Sequence, residues 1–296
     1  MAKFNFISKV PIDKGWSEDK KYCVTIADGT KYLLRITPEE KSGNREKMFQ
    51  IQQKVATLGI PMCKSIEFGK CEEGVYTLQT WIEGQDAEAV IPTLTVGEQY
   101  SYGLEAGRIL KEIHSIPAPA NQPDWAERFG AKTNRKIKMY QDCAIHFSGA
   151  EYIIAYIEAN RHLLKDRPQC FQHGDYHIGN MMIENGQLVI IDFDRYDYGD
   201  PWEEFNRIVW CAQKAPAFAS GMVDGYFAGE VPIEFWKLLA FYISSNMLSS
   251  VPWAIPFGEE QVNIMLEQAK DVLSWYENMK NPIPTWYRQD LQIVDN

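Results

Sequence analysis

The sequence is poor in the features that assign a chain directly to a disulfide-rich, secreted or nucleic-acid-binding class. Its six cysteines are scattered, with no Cys-x-x-Cys pair and no zinc-type histidine spacing, which predicts reduced thiols. Residues Met1 to Lys14 hold no apolar run of signal-peptide length, so we expect a cytoplasmic protein. Positive charge is scarce, since 30 Lys and Arg against 40 Asp and Glu give a net charge of -10, which argues against a nucleic-acid partner.

One long stretch, Trp236 to Phe257, is almost free of charge. It is about as long as a membrane-spanning helix. It also contains two prolines and several serines, which would be costly in lipid but are ordinary in a buried helix followed by a loop. We therefore predict a core helix here and no membrane partner.

The N-terminal part of the chain alternates short β-type runs with turn signals. Tyr22–Ala27 and Lys31–Ile36 flank Asp28-Gly29, a dipeptide typical of a two-residue hairpin turn. Asn44–Leu58 carries apolar residues at helical spacing, and Gly74–Ile82 follows as another strand. This order predicts an antiparallel sheet crossed by one helix, in a first domain spanning residues 1–82.

Residues 83–296 follow a mainly helical pattern and predict a second domain. The main candidate helices are Tyr102–His114, Tyr152–Leu164, Pro201–Gln213, Ile233–Leu248 and Glu259–Lys280. Short strand signals occur at Cys170–His173, Asn180–Ile183 and Leu188–Phe193, with Asn185-Gly186 as the turn of a hairpin. The two domains together predict an α+β fold.

Two short motifs carry the chemistry: HGDYHIGN at residues 173–180 and LVIIDFD at residues 188–194. Transfer of a γ-phosphoryl group needs a carboxylate near the acceptor hydroxyl and oxygen ligands that hold Mg²⁺ against the phosphates. Asp175 supplies the first, and Asn180 with Asp192 supplies the second. Asp175 precedes Asn180 by five positions, the interval of a kinase catalytic loop, and Asp192 ends an apolar strand where kinases place a metal-binding Asp.

With these motifs the sequence resembles the aminoglycoside phosphotransferase family, which includes antibiotic kinases, choline kinases and related metabolite kinases. The family motif H-G-D-x-x-x-x-N is matched at residues 173–180, and the later I-D-[FW]-[DEG] at 191–194. The resemblance spans nearly the whole chain and implies a two-lobed, protein-kinase-like fold with ATP and Mg²⁺ bound between the lobes. It implies that Asp175 is the catalytic carboxylate and that Asn180 and Asp192 are magnesium ligands.

The resemblance also implies nucleotide-binding residues in the N-terminal lobe. Arg35 stands where many relatives have a lysine over the α- and β-phosphates, and Glu46 is the acidic helix residue that would hold this cation. The loop 15–21 lies where the family covers the nucleotide, which makes Ser17 a phosphate-contact candidate. Thr80 and Ile82 fall at the hinge, whose backbone pairs with adenine. The alternative for Arg35 is a solvated strand residue without a binding role. The alternative for residues 15–21 is an ordinary charged hairpin loop.

An acidic stretch follows the second motif. Its carboxylates are Asp192, Asp194, Asp197, Asp200, Glu203 and Glu204. Asp200 is predicted to cap a helix, with Glu203 as its capping-box partner. With Asp192 assigned to magnesium, five carboxylates remain uncommitted and predict a cationic acceptor, which the resemblance makes an aminoglycoside-like compound. An acidic face that only meets water is the alternative.

Other functions remain open at this point. Choline and homoserine kinases share the catalytic loop, so several hydroxyl acceptors fit. A non-catalytic nucleotide-binding protein is disfavoured because Asp175, Asn180 and Asp192 are all intact, and a protein kinase is disfavoured because no A-P-E segment follows Asp192. A metal hydrolase using His173 and His177 lacks a further cluster of His or Glu residues.

Overall fold

The computed structural model of the chain describes residues 5–13 and 19–291, which belong to two units. The first unit combines Met1–Ala87 with Asn180–Asp194. The second combines Glu88–Gly179 with Arg195–Asn296. The short segment that carries Asn180 and Asp192 therefore belongs with the N-terminal part of the chain.

Strands predominate in the N-terminal part of the chain and helices in the rest, as the sequence pattern predicts. The strands are β1 (Phe6–Pro11), β2 (Lys20–Ile26), β3 (Lys31–Thr37), β4 (Ser65–Cys71), β5 (Gly74–Thr80), β6 (Gln85–Asp86), β7 (Cys170–Gln172), β8 (Met181–Glu184), β9 (Gln187–Ile190) and β10 (Asp197–Gly199). The α-helices are α1 (Ser42–Ala56), α2 (Ala87–Val90), α3 (Val96–Ile113), α4 (Trp125–Gln141), α5 (Ala150–Asn160), α6 (Ile208–Lys214), α7 (Pro216–Phe227), α8 (Ile233–Ala254) and α9 (Glu259–Trp275).

The main sheet of the first unit is antiparallel, with the strand order β1-β2-β3-β5-β4. Helix α1 packs against β4 and β5. The side chains that point to one face of the sheet alternate along the strands and are buried together. They are Val24, Leu34, Ile36, Tyr76 and Leu78. The predicted sheet with one crossing helix is confirmed.

Four residues, 27–30, separate β2 from β3, and the turn inside the last bonded pair, Ile26 and Thr30, has three residues and not the two predicted from the Asp28-Gly29 dipeptide. The Ile26 N–H donates to the Thr30 carbonyl at 3.0 Å and closes the loop around residues 27–29. Gly29 has a φ of +89°, a left-handed conformation that glycine adopts without steric cost. The dipeptide therefore marks the turn correctly, while the pairing of the strands decides its length.

The β8–β9 hairpin belongs to the first unit. Its turn residues Asn185 and Gly186 have φ values of +53° and +78°, as a two-residue type I′ turn requires, so this predicted hairpin is confirmed. β6 pairs with β8, and the Ile190 carbonyl accepts the Cys63 N–H at 3.1 Å. These backbone bonds fix the end of β9, which leads directly into Asp192.

The second unit is mainly helical, and α3 packs closely against α7. A Cβ atom at Gly103 of α3 would lie 2.2 Å from the Phe218 carbonyl oxygen. A Cβ atom at Gly225 of α7 would lie 2.2 Å from the Leu104 carbonyl oxygen. Only glycine permits this close approach of two helix backbones.

Helix α8 lies in the core of the second unit and packs against α4, α5 and α9. Within the described residues, Ile233–Phe257 is the one stretch long and apolar enough to cross a membrane. Of its most apolar segment, 67% is buried inside the protein. Phe241 and Leu248 are fully buried there. The core helix predicted for this stretch is therefore confirmed.

The helices of the second unit differ from the sequence prediction in three places. Helices α4 and α7 were not among the main candidate helices. The helix predicted over Pro201–Gln213 is divided into a 3₁₀ turn at Glu203–Arg207 and the short helix α6. At this division Asp200 accepts the Trp202 N–H, but Asp200 and Glu203 also make the long-range contacts described below.

Candidate active site

The loop that carries Asp175 connects β7 to a 3₁₀ turn at Ile178–Asn180. Gly174 has a φ of +84°, and a Cβ atom there would lie 1.9 Å from the Arg195 carbonyl oxygen. Tyr176 is fully buried, and its hydroxyl donates to the Ala106 carbonyl at 2.7 Å. The glycine and the buried tyrosine on either side of Asp175 thus fix the loop and leave the carboxylate partly accessible.

Basic side chains surround the Asp175 carboxylate, whose side chain is 18% exposed. Its Oδ1 lies 3.3 Å from Arg207 Nε and 3.7 Å from His177 Nε2, and its Oδ2 lies 3.7 Å from Arg195 Nη1. Burial lowers the pKa of His177 to about 4, although Asp175 opposes the shift. His177 is therefore neutral at neutral pH, and the positive charge beside Asp175 comes from the two arginines.

Glu204 supports this loop from inside the second unit. Its side chain is 1% exposed, and its Oε1 and Oε2 accept the Gly174 N–H at 3.0 and 3.2 Å. His114 Nε2 lies 3.8 Å from Glu204 Oε2. The sequence left the role of Glu204 undefined, because nothing in its local pattern indicates a bond to a residue thirty positions earlier. The structure assigns it to holding the backbone beside Asp175.

Asn180 and Asp192 are neighbours in the first unit. The Ile191 N–H donates to the Asn180 carbonyl at 3.1 Å, which places the next residue, Asp192, beside Asn180. Asp192 is exposed and has a φ of +64°, a conformation that costs a non-glycine residue energy and is common at functional sites. Burial raises the pKa of Cys63 to about 11, although a backbone hydrogen bond from Asp192 opposes the shift.

These two residues fit the chemistry of a magnesium site. Mg²⁺ prefers oxygen ligands and is often bound by one or two carboxylates together with substrate phosphates. The Asp192 carboxylate and the Asn180 amide oxygen are ligands of this kind on adjacent backbone positions. In the ranges 5–13 and 19–291, no three His, Cys, Asp or Glu residues form a metal-type cluster.

Arg35 lies on β3 with only 6% of its surface exposed. It donates to Asp194, and its Nε lies 3.7 Å from Asp19 Oδ2. Arg45 donates to Asp19 and lies 3.0 Å from Asp194. Burial opposes ionisation of Arg35, yet the carboxylates of Asp194, Asp192 and Asp19 raise its pKa overall. A buried network of two arginines and two aspartates therefore occupies this part of the first unit.

The partner predicted for Arg35 differs from the observed one. Glu46 is exposed on α1, and among the described residues no ion pair joins it to Arg35. Arg45, the preceding residue of α1, takes part in the Arg35 network instead. One position along a helix turns a side chain by about 100°, so Glu46 and Arg45 lie on different faces of α1. The role of Glu46 that the resemblance implied stays a prediction.

The remaining nucleotide-binding predictions lie in or near β5. Thr80 ends this strand, where its N–H donates to the Lys64 carbonyl and its Oγ1 accepts the Lys64 N–H, both at 2.9 Å. Ile82 is half-buried in the segment that follows. Ser17 lies outside the described residues. The roles of these three residues stay predictions.

The acidic stretch after Asp192 is not uncommitted, contrary to the sequence prediction. Each of its carboxylates has a partner: Asp194 with Arg35 and Arg45, Asp197 with Arg128, Asp200 with Arg167, Glu203 with Lys132, and Glu204 with the Gly174 N–H. Four of the five carboxylates are thus paired with cationic side chains, while Glu204 accepts a backbone N–H, which carries no net charge. The argument for a cationic acceptor therefore loses the observation on which it rested.

Asp200 shows why its predicted capping role is incomplete. The residue is fully buried, and its carboxylate binds Arg167 through Nε at 2.6 Å and Nη2 at 2.9 Å. It also accepts the Tyr242 hydroxyl at 2.6 Å and the Trp202 N–H at 3.0 Å. Glu203 turns away and accepts Gln172 Nε2 at 3.1 Å. A buried carboxylate recruits several donors because losing hydration is costly, and here these donors replace the capping box.

Comparison with known proteins connects this geometry to a family. The sequence profile of a phosphotransferase enzyme family matches residues 9–236. No curated protein matches the chain in sequence.

Solved structures of aminoglycoside phosphotransferases share the fold. A thermostable mutant of APH(4)-Ia in ternary complex with ADP and hygromycin B is 14% identical, with a TM-score of 0.65 over 90% of this chain and 94% of that chain. The GDP complex of wild-type aminoglycoside 2'-phosphotransferase-IIIa is 13% identical, with a TM-score of 0.68 over 91% and 93%. ADP-bound APH(2'')-Ib is 14% identical, with a TM-score of 0.63 over 91% and 95%. The predicted α+β, protein-kinase-like fold is confirmed.

Proposed function

Since the chain belongs to the phosphotransferase enzyme family, we propose that it transfers the γ-phosphoryl group of ATP to a hydroxyl group of a small molecule. The observation that carries the proposal is the fixed Asp175 loop, followed in the chain by the adjacent pair Asn180 and Asp192. The sequence supplies the residue types for phosphoryl transfer in the required order. The structure adds a strained backbone at Asp192 and a buried glutamate, Glu204, behind the loop.

In this proposal Asp175 orients the acceptor hydroxyl and takes its proton. The hydroxyl oxygen attacks the γ-phosphorus and forms the new O–P bond. The bond between the γ-phosphorus and the bridging oxygen breaks, and ADP leaves with the bonding electrons. The proton passes from Asp175 to solvent. Arg195 and Arg207, at 3.7 and 3.3 Å from the carboxylate, hold Asp175 in position.

Asn180 and Asp192 would hold Mg²⁺, which when bound neutralises the charge of the nucleotide phosphates. Arg35 is proposed to contact those phosphates, because its buried Nε has no hydrogen-bond partner among the described residues. The nucleotides in the solved relatives, ADP and GDP, support nucleotide binding by this fold. Thr80 and Ile82 are proposed at the adenine edge, while Ser17 and Glu46 remain candidates from the resemblance alone.

The acceptor predicted from the sequence is an aminoglycoside-like compound. The presence of hygromycin B in a solved relative supports a small-molecule hydroxyl acceptor. Choline and homoserine are the alternatives, and a non-catalytic nucleotide-binding protein is the rival of another class. The paired carboxylates of residues 194–204 give no support to the cationic charge of the acceptor.

The test is a measurement of ADP release with Mg²⁺ and ATP, against a panel of aminoglycosides, macrolides, choline and homoserine. We expect turnover with at least one acceptor, and a loss of this turnover in Asp175→Asn. Glu230→Gln, an exposed change far from both motifs in the chain, is the matched control and should behave as the wild type. Magnesium-dependent nucleotide binding, without turnover of these acceptors or of the anionic acceptors tested below, would support the non-catalytic rival.

A further inference from the structure

Three basic side chains converge on one glutamate in the second unit. Lys132 and Lys136 lie one turn apart on α4, and Arg207 ends the 3₁₀ turn that precedes α6. All three interact electrostatically with Glu203, and Lys132 Nζ lies 3.4 Å from Glu203 Oε1. We call Lys132, Lys136 and Arg207 the basic cluster. Counting Asp175, which lies 3.3 Å from Arg207, the three cationic groups of the cluster face two carboxylates and still carry an excess of positive charge.

Lys136 is the member with the fewest neighbours of opposite charge. It is half-buried, its Nζ donates to Asn246 Oδ1 at 3.3 Å, and no ion pair within the described residues involves it. Burial, aided by the charges of Lys132 and Arg207 and opposed by Glu203, lowers the pKa of Lys136 to about 7. A partly desolvated ammonium among other cations is unfavourable unless an anion is bound beside it.

Arg207 links this cluster to the reactive carboxylate. Its Nε lies 3.3 Å from Asp175 Oδ1. The same Nε is buried and has no hydrogen bond of good geometry in the described part of the chain. A guanidinium group has five N–H donors in a planar fork, so contact with Asp175 leaves donors for a second anion. An anion bound there would lie within a few ångströms of Asp175.

We propose that the basic cluster binds an anionic group of the acceptor, a carboxylate or a phosphate, while the acceptor's hydroxyl lies at Asp175. The inference rests on the proposed kinase function and specifies its substrate class as hydroxy acids or phosphorylated alcohols. It replaces the cationic acceptor expected from the acidic stretch, because the carboxylates of that stretch are paired and the lysines of the cluster are in excess. Lys136 and Arg207 thus act as specificity residues for the proposed reaction.

The experiment compares acceptors that differ in charge and little else. Glycerol, serinol, glycerate and glycerol 3-phosphate form a neutral, cationic, carboxylate and phosphate series, tested beside a wider set of sugars, sugar phosphates, hydroxy acids and aminoglycosides. We expect ADP release with anionic acceptors. The comparison of glycerate with glycerol 3-phosphate then shows whether a carboxylate or a phosphate is preferred. If the best acceptor is neutral or cationic, the inference is overturned, while the proposed kinase function is retained.

Variants of α4 then test the residues. Lys136→Met should raise KM for the best anionic acceptor by at least about tenfold, with KM for ATP unchanged, because a hydrogen bond to a charged group is lost. Lys136→Arg should restore much of the affinity. The matched control is Lys138→Met, whose side chain is 75% exposed on the same helix and should have no effect. A rise in KM for ATP instead would show that the cluster binds nucleotide phosphate and would overturn the proposal.

A binding measurement covers the case in which no acceptor is turned over. Inorganic phosphate is titrated calorimetrically into the full-length protein saturated with Mg-ADP, which keeps phosphate out of the α- and β-phosphate positions. Phosphate bound at the γ-phosphate position would bind equally to all the proteins compared. We expect binding that weakens by about tenfold or more in Lys136→Met and is unchanged in Lys138→Met. Phosphate binding that is absent, or equal in all three proteins, would overturn the inference. Failure to bind Mg-ADP at all would contradict the proposed function itself.

Discussion

Replacing Glu204 with glutamine removes the charge that holds the backbone beside Asp175. The buried carboxylate accepts the Gly174 N–H with both oxygens, at 3.0 and 3.2 Å. A hydrogen bond to a charged group contributes about 1.5–3 kcal/mol and a neutral one about 0.5–1.5 kcal/mol, so the change should cost about 1 kcal/mol. For a protein of this size, about 1 kcal/mol lowers Tm by roughly 2–4 °C. Glu204→Ala should cost more, because it leaves a buried N–H unpaired.

The effect on turnover should exceed the effect on stability. A misplacement of about 1 Å near a reacting group can lower the rate by roughly 10²-fold, so we expect kcat of Glu204→Gln to fall by about ten- to a hundredfold. KM for ATP should change little, since the proposed nucleotide contacts involve other residues. Thermal unfolding by circular dichroism and a coupled assay of ADP release measure the two effects. Glu204→Asp keeps the charge and should recover part of both losses.

Glu230→Gln is the control for the Glu204 variants, because it makes the same chemical change at an exposed position. It should alter neither Tm nor kcat. A Glu204→Gln protein with kcat within a factor of three of the wild type and an unchanged Tm would refute the positioning role. A lower Tm with an unchanged kcat would restrict Glu204 to a structural role in the core of the second unit.

Asp175→Asn should lower kcat by about 10²- to 10⁴-fold while ATP affinity, measured by calorimetry, is retained; activity within threefold of the wild type would contradict its role as the base. Asp192→Ala should fold but lose most Mg²⁺-dependent nucleotide binding, and unchanged Mg-ATP binding would refute its assignment as a metal ligand. Lys136→Met should have a higher Tm than the wild type at pH 6, and this difference in Tm should be smaller at pH 9.5. The lysine's pKa falls from 10.5 when unfolded to about 7 when folded, so its destabilising effect is complete below pH 7 and fades as the pH rises. A Tm difference that does not vary with pH would contradict this reasoning.

Local sequence signals predicted those parts of the fold whose cause is local. Asn185-Gly186 indicated a type I′ turn because both positions need positive φ, and both have it. Helix α7 escaped prediction because most of its residues are buried and glycines face α3, so it has no polar side from which a helical period could be read. The position of helix α1 was predicted correctly, but the sequence did not indicate that Arg45 is the residue of α1 that joins the Arg35 network.

The charges were the part of the candidate site that the sequence could not assign. Asp194 pairs with Arg35 across 159 residues of chain, and Arg128 with Asp197 across 69. Such pairs depend on which elements pack together, and spacing along the chain carries no information about that. Six carboxylates in thirteen residues therefore suggested a cation-binding surface that the fold neutralises.

The sequence by itself determined the order and type of the candidate reactive groups, Asp175, Asn180 and Asp192, because their residue types and spacing match those expected for phosphoryl transfer. Only the tertiary structure decided which charges are matched and which are in excess, and hence that Arg207 lies beside Asp175 and that Lys136 belongs to the same basic cluster. The physical reason is that a charge's energy depends on its distance to other charges and on its burial, and both are set by residues distant in the chain.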